Sequence, residues 1–512
     1  MASGEQTGLA GRLREGLEVA GFTYDRVVEM LGATAHAALS RNETLPGLRA
    51  TRGGTPVETL TRLWLLQAPV SAAEVESALP GLLEPLCAAG VLERSVGEVR
   101  ARLDVRPYAS EETDLWVVSD LTPGMDGLPI SVSADHVLGI SPAATSLAQL
   151  TVREPVERAL DLGTGCGVQA LHLATHADTV VATDVNERAL GLTRFNAELN
   201  GLAVETRSGS LFEPFETVAA QPPQGPGGNE GFDLIVTNPP FVISPGTGQR
   251  LVYRDSGLPG DRVVEHVVRT APRHLRPGGT AQVIANWVIE RDRPWDERLA
   301  GWLDGVDAWV VQREVLDLPS YVELWLKDAG LHPSTGSGTI GDYHERYDTW
   351  LSWLEEQGVE AVGFGWISMR RVETASPSIR LEEWPYDVEQ PMGPEAQSLL
   401  VRLAALRDLA DDALRAARLT MRADVRQETY GQPGAEDPET VVLRQQRWMR
   451  RARRADTVEA ALVGACDGEL SVGQILDALG TLLERDDARA TYLPVVRDLV
   501  TEGFLDLPGQ GV

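Results

Sequence analysis

Lysine is almost missing from this chain of 512 residues: Lys327 is the single one, and the rest of the 46 lysines and arginines are arginines. The basic side is also outweighed, because 46 lysines and arginines face 75 aspartates and glutamates, a formal net charge of −29. A protein that grips nucleic acid through many phosphates usually carries a basic domain or stripe. The acidic balance lowers that expectation without closing it, since a local patch can still be basic. Cysteine is scarce as well. Cys87, Cys166 and Cys466 lie far apart and form no CxxC pair, which argues against a disulfide framework or a thiolate zinc site and for free thiols in a reducing compartment. No run approaches the roughly 18 apolar residues that a membrane span needs. The opening MASGEQTGLAGRLREGLEVAG has no apolar h-region and no twin arginine, so no signal peptide is expected. The expected location is cytoplasmic.

What remains is ordinary globular composition, 43% hydrophobic and 24% charged, in a chain too long for one domain. Residues 1–106 read as helical. Pro56–Leu66 carries apolar positions at helical spacing, Ser71 before Ala72-Ala73-Glu74 fits an N-cap box, and Val91-Leu92-Glu93 fits a short strand. Helix, helix, strand is a winged-helix-like pattern, and 455–512 repeats it, with "CAAGVLE" echoed by "VTEGFLDL". Winged helices bind DNA in many proteins and serve protein contact or peptide recognition in others; the first module is not basic, which favours the roles other than DNA binding. Residues 107–372 alternate strands and helices. Ala159–Leu162, Val180–Asp184, Asp233–Thr237 and Ala281–Ala285 are short apolar runs of the kind buried on both faces of a parallel sheet. The class is α/β, with a doubly wound, mostly parallel sheet. Gln221–Gly231 reads as a flexible surface loop by composition.

Three motifs carry chemistry. Asp161-Leu162-Gly163-Thr164-Gly165-Cys166-Gly167 joins a strand to a helix, and its glycines let the backbone turn tightly against a ligand at the helix N-terminus. Asp184 closes the next strand at about the 20-residue interval where a carboxylate accepts both ribose hydroxyls. Together they point to an adenosine cofactor, NAD or S-adenosylmethionine (SAM). The third motif decides for SAM: Asn238-Pro239-Pro240-Phe241 ends the strand Asp233–Thr237. Prolines stop the ladder. The Asn238 amide oxygen and the Pro239 carbonyl can accept both hydrogens of one NH2 group, turning its lone pair out of conjugation, and Phe241 offers a flat stacking face.

These motifs resemble the class I SAM-dependent methyltransferases, in the branch with an [ND]-P-P-[FYW] motif that includes adenine-N6, ribosomal RNA guanine-N2 and release-factor glutamine-N5 enzymes. The resemblance covers roughly residues 127–372 and implies a Rossmann-like core. It implies that Asp161, Gly163, Thr164 and Gly165 line the methionine end of SAM, that Asp184 holds the ribose, and that Asn238, Pro239 and Phe241 act on the target nitrogen beside Pro240. "GSLFEP", Gly209–Pro214, resembles the adenine-contacting segment of the glutamine enzymes, with Ser210 where an aspartate is usual. Ser141–Leu147 falls where such enzymes cover the cofactor. A terminal strand hairpin is expected at Ala308–Val315 and Val362–Val372, with extra helix between them (about 317–360, including Tyr343–Glu355) where the family connection is short.

Other features are less specific. Tyr253 and Arg254, in the loop after Phe241, are candidate substrate contacts. Residues 373–454 read as a linker with a basic helix, because Val442–Arg454 (VLRQQRWMRRARR) would place Arg447, Arg450, Arg451 and Arg454 on one face. His136 has no evident partner, and Cys166 reads as a small residue in the turn. The function expected is transfer of a methyl group from SAM to a planar NH2 nitrogen, without a metal. A nucleobase in RNA is placed slightly ahead of a glutamine or peptide amide, because an Asn-Pro-Pro-Phe motif ending in phenylalanine resembles the RNA guanine-N2 enzymes and the Arg444–Arg454 run offers a local phosphate site. A SAM-binding regulatory or scaffold protein is the alternative of another class.

Overall fold

The structure is a computed structural model that describes residues 3–109, 114–128, 130, 133, 135–219, 231–246, 257–334, 336, 339–433, 438–485 and 487–509. It divides into two compact units. The first comprises residues 1–148, 154–302 and 314–366; the second comprises 149–153, 303–313 and 367–512. The loop expected at Gln221–Gly231 lies outside the described residues, apart from Gly231.

The first unit starts with helices Ser3–Ala20 and Tyr24–Leu39. Pro56–Leu60 is a helix that continues as a π-helical turn, Thr61–Leu65. Ser71 caps helix Ala72–Ala78 reciprocally with Glu74, as its spacing predicts. Helix Leu83–Ala88 then leads into the strands Leu92–Ser95 and Glu98–Ala101, which form a small antiparallel sheet with Val70–Ser71. A second hairpin pairs Leu103–Ala109 with Asp114–Asp120, so the domain boundary expected at 106 falls inside a strand.

Five neighbouring strands of the eight-stranded central sheet run parallel: β1 (Val156–Leu162), β2 (Ala177–Asp184), β3 (Glu205–Ser208), β4 (Phe232–Thr237) and β5 (Leu275–Glu290). Their order is β3-β2-β1-β4-β5. The order reverses between β1 and β4, and in open α/β sheets ligands bind outside the carboxyl ends of the strands at such a point. The burial patterns explain the apolar runs, since Ala159, Leu160, Leu162, Leu234, Ile235 and Val236 are all buried.

Helix α1 (Glu187–Leu199), capped by the Asn186 side chain, covers the sheet and also holds the second hairpin. Asn200 Oδ1 accepts from Trp116 N at 2.9 Å while its Nδ2 donates to Trp116 O at 2.8 Å. Asn196 repeats the exchange with Val118, both bonds at 2.8 Å. Two side-chain amides one helical turn apart thus meet alternate residues of a strand. One hydrophobic core runs from Leu9 and Trp64 through Val118 to Leu192 and Leu199.

The helices expected between the last strands are α2 (Leu318–Asp328) and α3 (Ile340–Glu356). Asp317 caps α2, which has a proline in its first turn, and Thr339 caps α3 in a reciprocal box with Asp342. Strands flank them at Val306–Asp317 and Val359–Arg371, close to the positions expected.

The second unit corrects the reading of 373–454 as a linker with a basic helix. It holds a strand, Ile379–Glu383, paired with Ala308–Gln312, a helix, Gly393–Arg407, and a three-stranded antiparallel sheet of Val425–Tyr430, Thr440–Gln445 and Ala452–Ala455. Val442–Arg454 is therefore strand, turn and strand. Trp448 and Arg450 turn the chain with φ of 51° each, a conformation that no glycine marks in the sequence. The arginines do not share a face. Arg451 is buried and pairs with both oxygens of Glu382 at 2.6 and 2.7 Å. Arg444 pairs with Glu428, Arg447 with Glu389, and Arg453 with Glu459 and Glu502. Burial alone would raise the Glu382 carboxyl, but the Arg451 and Arg380 guanidinium groups hold it at about 2. Helices Thr457–Ala465, Val472–Leu482 and Ala488–Thr501 complete the unit around their own core.

Candidate active site

Strand register gathers the site. Leu162 lies opposite Thr183 on one side and Thr237 on the other, and Thr237 Oγ1 donates to Leu162 O at 2.7 Å. The residues that follow this row are Gly163, Asp184 and Asn238. All three predicted motifs therefore leave adjacent strands side by side, at the carboxyl ends where the order reverses.

The glycine turn is fastened from beneath. Gly163 N and Thr164 N both donate to Thr183 O, at 2.9 and 2.8 Å. Asp161, 1% exposed, accepts at Oδ2 from Thr164 Oγ1 at 2.6 Å and from Ala170 N at 3.0 Å. Burial pushes its carboxyl up to about 7, against the pull of those two bonds. Asp161 is thus a brace under the turn, and the Thr164 hydroxyl faces that brace. Gly163, Gly165 and Gly167 have φ of 78°, 57° and 89°, the region where side chains are strained. A Cβ at Gly163 or Gly165 would meet nothing within 4 Å, whereas at Gly167 it would meet Thr193. The backbone at the first two glycines faces open space, which is what close approach of a cofactor requires. Thr193 Oγ1 donates to Gly165 O at 3.1 Å, and Asn196 Nδ2 to Cys166 O at 2.7 Å. Cys166 is buried, and burial pushes its thiol up to about 12, so it is inert packing.

Asp184 accepts one backbone N–H at each oxygen, from Gly165 at 3.0 Å and Asn186 at 2.9 Å. Burial raises its carboxyl, the two bonds notwithstanding. The remaining lone pairs suit the two hydroxyls of a ribose. Gly209 N donates to Asp184 O at 3.1 Å, which places exposed Ser210 in the segment next to that carboxylate. Helix Pro142–Leu150 covers the region expected to overlie the cofactor, and Gln169 Nε2 donates to Ala144 O at 2.7 Å. His136 lies 3.6 Å from Asp120, whose carboxylate also meets Arg188.

At the end of β4 the Asn238 amide oxygen is buried and has no hydrogen-bond partner among the described residues. Such an atom is costly unless something fills its place. Pro239 is buried, while Pro240 and Phe241 are half-buried. The Phe241 ring stands edge-on to Trp325 of α2, centroids 6.1 Å apart. Tyr253 and Arg254 lie outside the described residues. Among the described residues no cluster of histidine, cysteine or acidic side chains could hold a metal ion, and no helix is long and apolar enough to cross a membrane. Sequence reasoning missed Thr193 and Asn196, which share a face of α1, and the aromatic side chains of α2 and α3; the only signal was helical length and aromatic density at 317–360.

Residues 19–102 match a family described as a domain of unknown function (DUF7059), and residues 140–301 match the family described as methyltransferase small domain. The chain is similar to the ribosomal protein uL3 glutamine methyltransferase of Bradyrhizobium diazoefficiens, 34% identical over 167 residues, which are 30% of this chain and 48% of that protein. It is also similar to the ribosomal RNA small subunit methyltransferase C of Klebsiella pneumoniae, 29% identical over 142 residues, 27% of this chain and 34% of the relative. The chain therefore spans half or less of the length of these relatives. Among solved structures, the T. thermophilus 16S rRNA N2 methyltransferase RsmC in complex with AdoMet and guanosine aligns with 50% of this chain and 68% of its own, at 16% identity and a TM-score of 0.27. The fold rests on strand order and register. The segment 140–301 is thus similar to the methyltransferase small domain family, and its strand order agrees with that match.

Proposed function

We propose that the protein is a SAM-dependent N-methyltransferase whose acceptor is a planar NH2 group. The observation that carries this reading is the buried, unpaired Asn238 Oδ1, set one strand away from the glycine turn and in register with it. A cofactor fits the residues present: open space lies over Gly163 and Gly165, and Asp184 keeps acceptor capacity for a ribose. Asp161 and Thr164 brace the turn, and Ser210 lies at the adenine side. Bound SAM supplies a methyl group already activated on a sulfonium, so no metal is required of the protein. Asn238 Oδ1 and the Pro239 carbonyl would accept the two N–H groups of the acceptor, Phe241 and Pro240 would flank its plane, and the nitrogen lone pair would be turned out of conjugation. Most of the rate then comes from positioning.

Both a glutamine amide and a nucleobase present such a group. The arginine run favours RNA less than its sequence does, because Arg444, Arg447, Arg451 and Arg453 are already paired with acids. Arg450 and Arg454 remain exposed. A protein amide is therefore placed ahead, in line with the uL3 glutamine methyltransferase relative. The test is methyl transfer from labelled SAM to total ribosomal protein and, separately, to deproteinised ribosomal RNA. Protease-sensitive label is expected. Nuclease-sensitive label would exchange the acceptor, and SAM binding with no transfer to either would favour a regulatory SAM-binding protein.

A further inference from the structure

Immediately after the Asn-Pro-Pro-Phe turn the chain does not rejoin the sheet, yet Val242, Ile243 and Ser244 are buried. Irregular backbone in such a place needs partners for its polar groups, and they come from the two inserted helices. Ile243 N donates to Tyr321 Oη of α2 at 2.8 Å, and Trp350 Nε1 of α3 donates to Ile243 O at 2.9 Å. Both groups of one peptide residue are thus held by side chains of different helices. Tyr321 is fully buried and Trp350 is 2% exposed. Their rings belong to one cluster: Tyr321 contacts Trp350 at 6.3 Å and Trp325 at 6.2 Å, and Trp325 in turn meets Phe241. Gly260 N, donating to Ser244 O at 3.0 Å, secures the next residue.

We propose that α2 and α3 form a clamp for the acceptor side of the site, with Tyr321 and Trp350 as positioning residues that hold Phe241–Ser244 and so aim the Asn238 amide oxygen. This deepens the methyltransferase reading and rests on it. The helices do not touch the glycine turn through these bonds, so the clamp acts on the acceptor and leaves the cofactor alone. Among the described residues the acceptor turn has no brace of the Asp161 kind beneath it. Its geometry therefore depends on an insertion whose two contact residues lie far along the chain.

The test uses the full chain with Tyr321→Phe, which removes one hydroxyl and keeps the ring, and Trp350→Phe, which removes the donor. Hydrogen–deuterium exchange is read on peptides covering 241–246 and 163–170. Exchange at 241–246 is expected to rise about tenfold in either variant, with 163–170 unchanged. SAM affinity should stay within twofold. With the ribosomal protein or RNA fraction that accepts label, kcat should fall about tenfold while KM for SAM holds. A double variant, Tyr321→Phe with Asn238→Ala, should be no slower than Asn238→Ala alone, because both changes act on one group. Unchanged exchange at 241–246, or a wild-type kcat in both single variants, overturns the clamp. Equal loosening of both peptides would mean a merely structural role and overturns it too. If Asn238→Ala keeps full activity, the methyltransferase assignment of that residue fails instead, and the exchange data still judge the clamp.

Discussion

The glycine turn after β1 and the proline turn after β4 leave neighbouring strands in register, yet they are held by opposite means. The first is fastened by its own surroundings: Asp161 under it, Thr183 beside it, and Thr193 and Asn196 from the next helix. The second has, among the described residues, no partner for its Asn238 amide oxygen and depends on Tyr321 and Trp350, which lie 78 and 107 positions away from Ile243. A binding site for one constant cofactor can be built from local sequence. An acceptor site can be retuned by changing a distant insertion without disturbing that cofactor.

The two turns should respond differently to substitution, and the largest difference is expected at Asn238. Asn238→Ala should lower methyl transfer by about 10²–10³-fold, the scale of losing one preorganised hydrogen-bonding group, while calorimetry finds SAM affinity nearly intact. A variant retaining more than about a third of the wild-type turnover would remove Asn238 from the acceptor role. On the cofactor side, Asp184→Ala should weaken SAM binding by roughly 1.5–3 kcal/mol, as expected for hydrogen bonds to a charged group. Unaltered SAM binding in that variant would break the comparison at its other end. Thr193→Ala removes the bond to Gly165 O, and SAM affinity should drop by about 1 kcal/mol with little change in kcat; a kcat effect larger than the affinity effect would show that the two turns are coupled.

The smallest effect concerns pH. Burial raises Asp161 from its ordinary 3.8 to about 7, so the folded chain keeps a proton that the unfolded chain releases near 4. That contribution to stability is full below about pH 4 and is lost as pH rises through 7. Between pH 6 and pH 7.5 the loss should amount to about 1 kcal/mol, lowering the melting temperature by about one degree. Asp161→Asn should flatten this slope relative to wild type. An identical slope in both proteins would mean that Asp161 is ionised in the folded chain.

The glycine turn, the strand-end position of Asp184 and the parallel strands were legible because glycine spacing, a strand-end acid and apolar runs are local signals, and each reports a backbone requirement. Asn238–Phe241 was legible for the same reason, but what holds it was not. Tyr321 and Trp350 look like core aromatics of amphipathic helices, and nothing in their spacing names Ile243 as a partner. The arginine run misled for a related reason. Charges three and four apart fit a helix face, whereas the turn at Trp448 and Arg450 uses positive φ without glycine or asparagine. The partners of those arginines, Glu382, Glu389 and Glu428, come from other segments.

The asparagine pair of α1 sets a limit on how this protein can be taken apart. The family match begins at residue 140, which invites excision of 140–301 as a portable catalytic cassette. Asn196 and Asn200 make that boundary misleading, since their amides are completed by the backbone of Trp116 and Val118. A fragment starting at 140 would expose two carboxamides aligned to receive a strand that is no longer there, beside the apolar face that Trp116 and Val118 now cover. Such a fragment would present an adhesive edge to any extended peptide. The packed unit is longer than the matched segment, and grafting 140–301 onto another protein would have to bring the hairpin with it.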